Sequence, residues 1–288
     1  MADIDGSPGR QPRRGGRPAV GEPVLDRMFR ILSAFSDAER ALSLSRLSEL
    51  AKMPVSTTLR IARGLVDIGA LERGPDGRFT IGLWLLERAT LAPRGHGLRH
   101  IALPYMEDLH RATDEHILLA VREGDVVLLI ERLSSRGASL VDYRVGGQLP
   151  LHTTGVGLVL LANSPPDFQK QYLSQPLIAI DGSPISPARL GAHLELIRTK
   201  DVCHLSRTVP DRAVSVATPV RQHGTVIAAL SVVAAEGRLR PAMIEPAVTA
   251  IARAISREIS KPQNRIQDMD LRAPLLDTTQ TDIESADR

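Results

Sequence analysis

The sequence predicts an α+β protein with two domains. Within residues 23–82, three helical patterns precede a short turn that contains glycine. Within residues 97–261, hairpin turns connect strand patterns, and patterns of amphipathic helices occur between and around these strands. A chain of 288 residues also suits two domains rather than one. Because strands joined by hairpins run antiparallel, we expect the second domain to contain a mainly antiparallel sheet.

The composition excludes several classes of protein. Hydrophobic residues make up 43% of the chain and aromatic residues 3%, so the cores must consist mainly of aliphatic side chains. The single cysteine, Cys203, excludes an internal disulfide and a thiolate zinc cluster within one chain. No apolar run reaches the roughly 18 residues of a membrane span, and the N-terminus lacks the apolar segment of a signal peptide. We expect a cytoplasmic protein that needs no membrane, metal or cofactor.

Both ends of the chain have the composition of disordered segments, because they bury little apolar surface. Residues 1–22 are rich in Gly, Pro and Arg, and residues 262–288 are polar and acidic. The net charge of +3 permits an anionic partner without requiring one. The basic arm is interpreted either as a solvated tail or as an arm that follows a DNA minor groove. Its clustered arginines are Arg10, Arg13, Arg14 and Arg17.

Residues 23–82 have the order of a winged helix-turn-helix. Apolar residues recur at three- and four-residue spacing from Val24. A second short helix follows, capped by Ser43 or Ser45. Pro54 is predicted in the first turn of a third helix, which ends at Gly69. The turn sequence GPDG at 74–77 then separates two short strand patterns, LER and RFTI.

The third helix carries side chains suited to reading DNA. A helix fits the major groove, where short hydroxyls allow close approach and an arginine can pair bidentately with guanine. Arg63, one helical turn beyond Arg60, is predicted to contact phosphate. Arg78, at the hairpin tip, is predicted to contact the flanking backbone or the minor groove. The alternative is a packed helical domain with solvated arginines. The candidate contacts to double-stranded operator DNA are Ser56, Thr57, Arg60, Arg63 and Arg78.

Residues 83–96 predict a linker helix that ends at Pro93-Arg94-Gly95. Trp84 is the only tryptophan and is interpreted as a packing anchor at a dimer or domain contact. Beyond the linker, helical patterns cover LRHIALPYMEDLHRAT, TTGVGLVLLA, ARLGAHLELIRTK and AMIEPAVTAIARAISREIS. Strand patterns cover HILLAVREGDVVLLIERL as a hairpin, ASLVDYRVGGQLPL with a glycine turn, RAVSVATPV and GTVIAALSVVA.

Catalytic and metal-binding interpretations have little support. His152 has no His, Cys or carboxylate at ligand spacing, which favours a structural, hydrogen-bonding histidine. Gly155-Val156-Gly157 lacks the third glycine of a dinucleotide fingerprint. Ser215, Asp211 and His152 would make a hydrolase triad only if the fold brought them together, and no G-x-S-x-G elbow is present. Glu131 and Arg132 are interpreted as surface or interface charges. We expect no catalytic residues and no enzyme.

These residues together resemble an IclR-type bacterial transcriptional regulator over about 23–261. LSLSRLSELAKMPVSTTLRIARGLVDIGALERGPDGRFTIG resembles the family's winged helix-turn-helix, and QLPLHTTGVG resembles its Leu-Pro-Leu-His segment. SVATPV and ALSV resemble two strands that face its ligand cavity. The resemblance implies a C-terminal, GAF-like α/β effector-binding domain. It also implies a homodimer or homotetramer that represses or activates operons, often for catabolism of aromatic or small carboxylic acids.

The resemblance also implies an effector site. The members' cavity has an anion-binding end at a helix opening, where free backbone N–H groups suit a carboxylate. On one strand, many family members have a cysteine at the position that Ser215 occupies in this chain. The effector-binding residues so implied are Gly155, Val156, Ser215, Ser231 and Val233.

The chain departs from the family pattern at three points. Lys52 replaces the turn glycine before the third helix, and Leu158 replaces a lysine that usually follows the LPLH segment. LSRTVPDR stands where an acidic run and a glycine usually precede the SVATPV strand. The missing acids, with Val233, motivate the hypothesis that the cavity takes a larger, more apolar or aromatic acid. The rival interpretation is a metabolite-binding module or enzyme whose winged domain makes protein contacts.

Overall fold

The computed structural model describes residues 22–36, 38–134, 143–207 and 212–262, except the side chains of Pro93 and His96. The predictions for the basic arm and for nearly all of the acidic tail lie outside the described residues. The chain divides into two compact units, Met1–Ala89 and Thr90–Arg288. The unit boundary falls within the predicted linker.

Unit 1 is a three-helix domain with a two-stranded wing. Ser43 accepts a hydrogen bond from the Arg46 N–H (3.3 Å), which identifies it rather than Ser45 as the cap of the second helix. Pro54 precedes the third helix as its N-cap residue instead of lying within its first turn. The elements are α1 (Val24–Ser33), α2 (Leu44–Leu50), α3 (Val55–Asp67), β1 (Leu71–Arg73), β2 (Phe79–Ile81) and α4 (Leu83–Ala89).

The wing is attached to the helices through a small apolar core. β1 and β2 pair antiparallel with Glu72 opposite Thr80. Leu42, just before α2, forms an isolated antiparallel bridge with Phe79 of β2, so the entry to the second helix is hydrogen-bonded to the wing. Ile31 from α1, Leu47 from α2 and Phe79 are all buried in one cluster. This packing fixes α3 beside the wing.

The linker prediction is wrong in its extent. Helix α4 has only seven residues, Leu83–Ala89, and a π-helical turn occupies Pro93–Gly97. Trp84 packs over the backbone of Gly69, where an added Cβ would lie 3.3 Å from the Trp84 Cβ. The guanidinium of Arg88 lies 5.4 Å from the Trp84 ring centroid. Trp84 is therefore a packing residue of unit 1.

Unit 2 contains a six-stranded antiparallel sheet in the order β5-β4-β3-β8-β7-β6. Every pair of neighbouring strands is antiparallel. The elements are α5 (Leu98–Thr113), β3 (His116–Glu123), β4 (Val126–Leu133), β5 (Gln148–Pro150), α6 (Gly155–Ala162), α7 (Pro166–Leu173), α8 (Pro187–Lys200), β6 (Cys203–Arg207), β7 (Ala213–Gln222), β8 (Thr225–Ala235) and α9 (Pro241–Ile259).

Helices cover both faces of this sheet, which explains why its central strands are apolar almost throughout. Alternate residues of β3 point to opposite faces. Leu118 belongs to the cluster that includes α6 and α8, whereas Ile117 and Leu119 belong to the cluster formed with α5 and α9. The sheet is thus the middle layer of the unit.

Several local predictions need correction. Strand β6 and helix α7 were not predicted. Of ASLVDYRVGGQLPL, only Gln148–Pro150 forms a strand among the described residues, and part of the segment lies outside them. Of the two interpretations of Glu131, a surface or an interface charge, the surface alternative is wrong, because Glu131 is buried and paired with Arg99 in the same unit. None of the described helices is long and apolar enough to cross a membrane.

Candidate nucleic-acid interface and ligand cavity

Helix α3 has one buried face and one face open to solvent. Thr58, Ile61, Ala62 and Leu65 pack into the unit. Ser56, Arg60 and Arg63 are exposed. They share a stripe because residues four and seven positions apart lie on the same side of a helix. Thr57 borders the stripe and is half-buried.

The two arginines of this stripe are free to contact an anion. Neither Arg60 nor Arg63 forms a hydrogen bond or ion pair with another described residue. A free guanidinium on an exposed helix face can donate to phosphate oxygens or to a guanine edge. Four of the five predicted DNA-binding residues therefore lie together on α3.

The fifth predicted residue, Arg78, lies in the wing and already has a partner. Its Nε lies 3.6 Å from the Asp76 carboxylate, whose other oxygen accepts from the Arg78 N–H (3.1 Å). The Arg78 side chain is 58% exposed. Such an exposed pair contributes little to stability and can open. Phosphate contact by Arg78 would require the pair to rearrange.

The five predicted effector-binding residues line one cavity of unit 2. Gly155 and Val156 open helix α6, Ser215 lies on β7, and Ser231 and Val233 lie on β8. Ser215 pairs directly with Val233 across the sheet. We call this space the ligand cavity.

One end of the ligand cavity is formed by the N-terminus of α6. Thr154 caps this helix by accepting from the Gly157 N–H (3.1 Å). The N–H groups of Gly155 and Val156 make no hydrogen bond to any described residue. A Cβ on Gly155 would lie 2.7 Å from the Ser215 Oγ, so glycine permits α6 to approach β7. Free donors at a helix N-terminus favour an anion.

Polar side chains of the cavity are incompletely hydrogen-bonded. Ser231 is fully buried, and its Oγ has no partner among the described residues. A buried hydroxyl without a partner costs free energy, which a bound polar group can recover. Ser231 pairs with Leu118 of β3 in the sheet register, so both residues line the same wall.

The cavity also contains an arginine that the sequence did not single out. Arg207 ends β6 and donates from Nη1 to the Tyr143 hydroxyl (2.8 Å), with its guanidinium 5.5 Å from the Tyr143 ring centroid. The Arg207 Nε is buried without a partner. Burial raises the pKa of Tyr143, and the Arg207 charge opposes that shift, so the phenol stays neutral at pH 7. Arg207 pairs with no carboxylate of the described residues.

A second space of about 680 Å³ adjoins the ligand cavity. Thr153, Leu205 and Arg207 line both. Arg207 therefore stands where the two spaces meet. The ligand cavity contains this cation, free N–H groups and hydroxyls, whereas no described carboxylate lines it. Its chemistry suits an anion with an apolar body that contacts Leu118, Val156 and Val233.

His152 lies in the adjoining space and has a structural geometry. Its Nδ1 is 2.7 Å from the Tyr172 hydroxyl and its Nε2 is 3.0 Å from the Ile178 carbonyl oxygen. Since a carbonyl can only accept, Nε2 carries a proton and Nδ1 accepts from Tyr172 in the neutral ring. The prediction of a hydrogen-bonding histidine is confirmed. No described group of His, Cys, Asp or Glu is arranged to hold a metal ion.

Comparisons with known proteins agree with this arrangement. The family described as "Bacterial transcriptional regulator IclR C-terminal" matches residues 91–261, and the "IclR helix-turn-helix domain" matches residues 24–75. Among curated relatives, the chain is 27% identical to the glycerol operon regulatory protein of Streptomyces coelicolor, over 82% of this chain and 95% of that protein. It is also 27% identical to the Pca regulon regulatory protein of Pseudomonas putida, over 82% of each.

A solved structure gives a stronger likeness. An IclR homologue from Microbacterium hydrocarbonoxydans, in complex with 4-hydroxybenzoate, is 33% identical. The match covers 82% of this chain and 99% of that one, with a TM-score of 0.76.

Proposed function

Since this chain belongs to the IclR family of bacterial transcriptional regulators, which are DNA-binding proteins with an effector-binding domain and not enzymes, we propose that it controls a catabolic operon in response to a small carboxylic or aromatic acid. The ligand cavity is the observation that carries this proposal. Free N–H groups, the unsatisfied Ser231 hydroxyl and Arg207 line it, and no carboxylate is among the described lining residues.

The proposed effector is an aromatic acid rather than a short oxoacid. The likeness to the 4-hydroxybenzoate complex supports this choice, because the two chains share the fold and are 33% identical where they match. A carboxylate would accept from the N–H groups of Gly155 and Val156 and from the hydroxyls of Ser215 or Ser231. Val233 would contact the apolar body. Arg207 would pair with a second polar group or with the carboxylate itself.

The proposed DNA contact is the exposed stripe of α3. Ser56, Thr57 and Arg60 would face the major groove, and Arg63 would reach a phosphate. Arg78 would contact the flanking backbone once released from Asp76. The partner is double-stranded operator DNA in the cytoplasm.

The proposed assembly is a homodimer or homotetramer. Unit 1 exposes apolar side chains on two of its helices: Leu25 (64%) and Phe29 (66%) on α1, Leu83 (71%) and Leu86 (61%) on α4. Leu25 and Phe29 are four residues apart and share one helix face. Exposed apolar patches of this kind mark protein contacts. Pairing two copies would present two α3 helices at a spacing matched to operator half-sites.

The effector acts in this proposal by differential affinity. A ligand shifts the equilibrium between two arrangements of the DNA-binding units only by the difference in its affinity for them. Repression and activation both follow this relation, depending on which arrangement binds the operator.

The first test measures binding of the full chain to the DNA upstream of its own gene and to scrambled DNA, at two salt concentrations. We expect preference for the upstream DNA and a log–log slope of about −0.9 for each phosphate neutralised. The rival, a winged domain that contacts protein, predicts no binding to either DNA. If the upstream DNA binds, 4-hydroxybenzoate and glyoxylate are added. Melting-temperature shifts with glyoxylate and other short oxoacids alone would overturn the aromatic-acid proposal.

A further inference from the structure

A large groove in unit 2 lies at the end of α6 opposite the ligand cavity. It has a volume of about 1670 Å³ and shares no lining residue with the ligand cavity. We call it the arginine groove, and its defining residues are Arg94, Arg122, Phe168, Gln171, Val226 and Ile227. Helix α6 contributes Gly155 and Val156 to the ligand cavity, whereas Leu160 and the following Asn163 line the groove. At about 1.5 Å per residue, the two sites are separated by most of the helix.

Arg122 is the principal cation of this groove. It is half-buried on β3, and its guanidinium lies 4.3 Å from the centroid of the Phe168 ring. Its Nη1 donates to the Gly124 carbonyl (2.7 Å). Among the residues that the structure describes, the remaining N–H groups of Arg122 have no partner and no carboxylate pairs with it. Burial lowers the pKa of Arg122 and the Arg94 charge lowers it further, while the nearby Glu123 charge offsets part of the shift, so an anion there would relieve an unfavourable environment.

The other charges of the groove are compensated or solvated. Arg94 donates from Nη1 to the Glu123 carboxylate (3.1 Å) and from Nη2 to the Arg122 carbonyl (2.8 Å). These two bonds hold Arg94 against the β3 strand. Asp167 also lines the groove and is exposed, so water screens its carboxylate. One uncompensated guanidinium therefore remains, and it favours a ligand with a single negative charge.

The walls favour an apolar or aromatic ligand body. Leu160, Pro165, Pro166, Val226 and Ile227 line the groove together with the ring of Phe168. The Arg122 guanidinium lies over the Phe168 ring, and its planar fork is suited to bidentate pairing with a carboxylate. A phosphate or a small inorganic anion would leave these apolar walls in contact with water.

We propose that the arginine groove is a second binding site, distinct from the ligand cavity, for an aromatic monocarboxylate whose carboxylate pairs with Arg122. The ring of the ligand packs against the apolar wall beside Phe168. The site is independent of the DNA-binding proposal, because its residues all belong to unit 2 and its test uses no DNA.

The test measures binding of 2-naphthoate to the full chain by equilibrium dialysis and calorimetry. The Arg207→Gln variant serves as background, because it removes the cation of the ligand cavity. We expect it to bind 2-naphthoate at the groove. Adding Arg122→Gln should weaken that binding at least tenfold. Adding the matched control Arg111→Gln should leave it unchanged, since Arg111 is 70% exposed on α5 and pairs with Asp108.

A second variant tests the same site without removing Arg122, so that a folding defect in Arg122→Gln does not decide the result. Gln171→Glu adds a carboxylate at an exposed position of the groove with little change in shape. It should also weaken 2-naphthoate binding by repulsion. Absence of binding in the Arg207→Gln background overturns the proposal, as does binding that neither Arg122→Gln nor Gln171→Glu weakens. In either case the DNA-binding proposal is untouched.

Discussion

Arg207 donates a hydrogen bond to the Tyr143 hydroxyl across 2.8 Å and lies 5.5 Å from the centre of its ring. The two residues are 64 positions apart in the chain. The contact places a cation at the junction of the ligand cavity and the adjoining space. Because the Arg207 Nε is buried without a partner, an effector oxygen could complete its hydrogen bonding.

Replacing Arg207 with Gln should weaken 4-hydroxybenzoate binding by about 1.5–3 kcal/mol, the range for a hydrogen bond to a charged group. Calorimetry on the full chain measures this loss. Operator affinity without ligand should stay unchanged, because Arg207 lies in unit 2. Arg198→Gln is the matched control, since Arg198 is exposed on α8 and pairs with Glu195. Equal effects of the two variants would remove Arg207 from the effector site.

Replacing Arg60 with Ala should weaken binding to the cognate operator by about 1–3 kcal/mol and relax its sequence preference. Arg60 is exposed and unpaired among the described residues, so the loss comes from DNA contacts rather than from folding. Arg63→Ala should instead weaken binding to all DNA sequences and reduce the salt slope by about 1. Fluorescence anisotropy at several salt concentrations separates the two effects, and unchanged affinity for Arg60→Ala would contradict the assignment.

Replacing Lys52 with Gly should stabilise unit 1. Lys52 has φ of 51° in the turn between α2 and α3, where a residue with a Cβ is strained. Glycine relieves backbone strain of roughly 1–2 kcal/mol. Its greater conformational entropy in the unfolded chain costs about 0.5–1 kcal/mol, so a small net stabilisation remains. Lys52→Ala is the control, because it removes the same side chain and keeps the Cβ. Urea unfolding should show a higher free energy of unfolding for Lys52→Gly and no increase for Lys52→Ala.

Cys203 should be inert in the native protein. It is fully buried on β6, and burial raises the pKa of its thiol to about 12. At pH 8 the thiolate fraction is then on the order of 10⁻⁴, and the thiolate is the reactive form. A thiol reagent should label Cys203 only after unfolding. Rapid labelling of the native chain at pH 8 would show that β6 opens readily.

Replacing Gly157 with Ala should destabilise unit 2 more than replacing Gly155. A Cβ at Gly157 would lie 2.4 Å from the Leu151 carbonyl oxygen, which is backbone and cannot rotate away. A Cβ at Gly155 would meet the Ser215 Oγ, a side-chain atom that can move. Overpacking of this kind costs about 1–3 kcal/mol. Thermal unfolding of both variants checks the order, and equal melting temperatures would contradict it.

The sequence predicted the local elements well where periodicity and turn chemistry are strong. Helix α3, the GPDG wing turn and the β7–β8 hairpin all follow from local patterns along the chain. It failed at β6 and α7, whose short, mixed sequences carry no clear period, and at the linker, where Ala89 ends the helix early. The residues implied by the family resemblance do line one cavity, but their role in effector binding remains a prediction.

By itself the sequence determined the order of most elements, the exposed stripe of α3 and the family resemblance, because these depend on spacing along the chain. Only the tertiary structure decided which distant side chains meet. Arg207 of β6 contacts Tyr143, which lies 64 positions away in the chain, and the sheet register sets Ser215 opposite Val233. Such contacts depend on strand register and on packing between faces, and no local pattern specifies those.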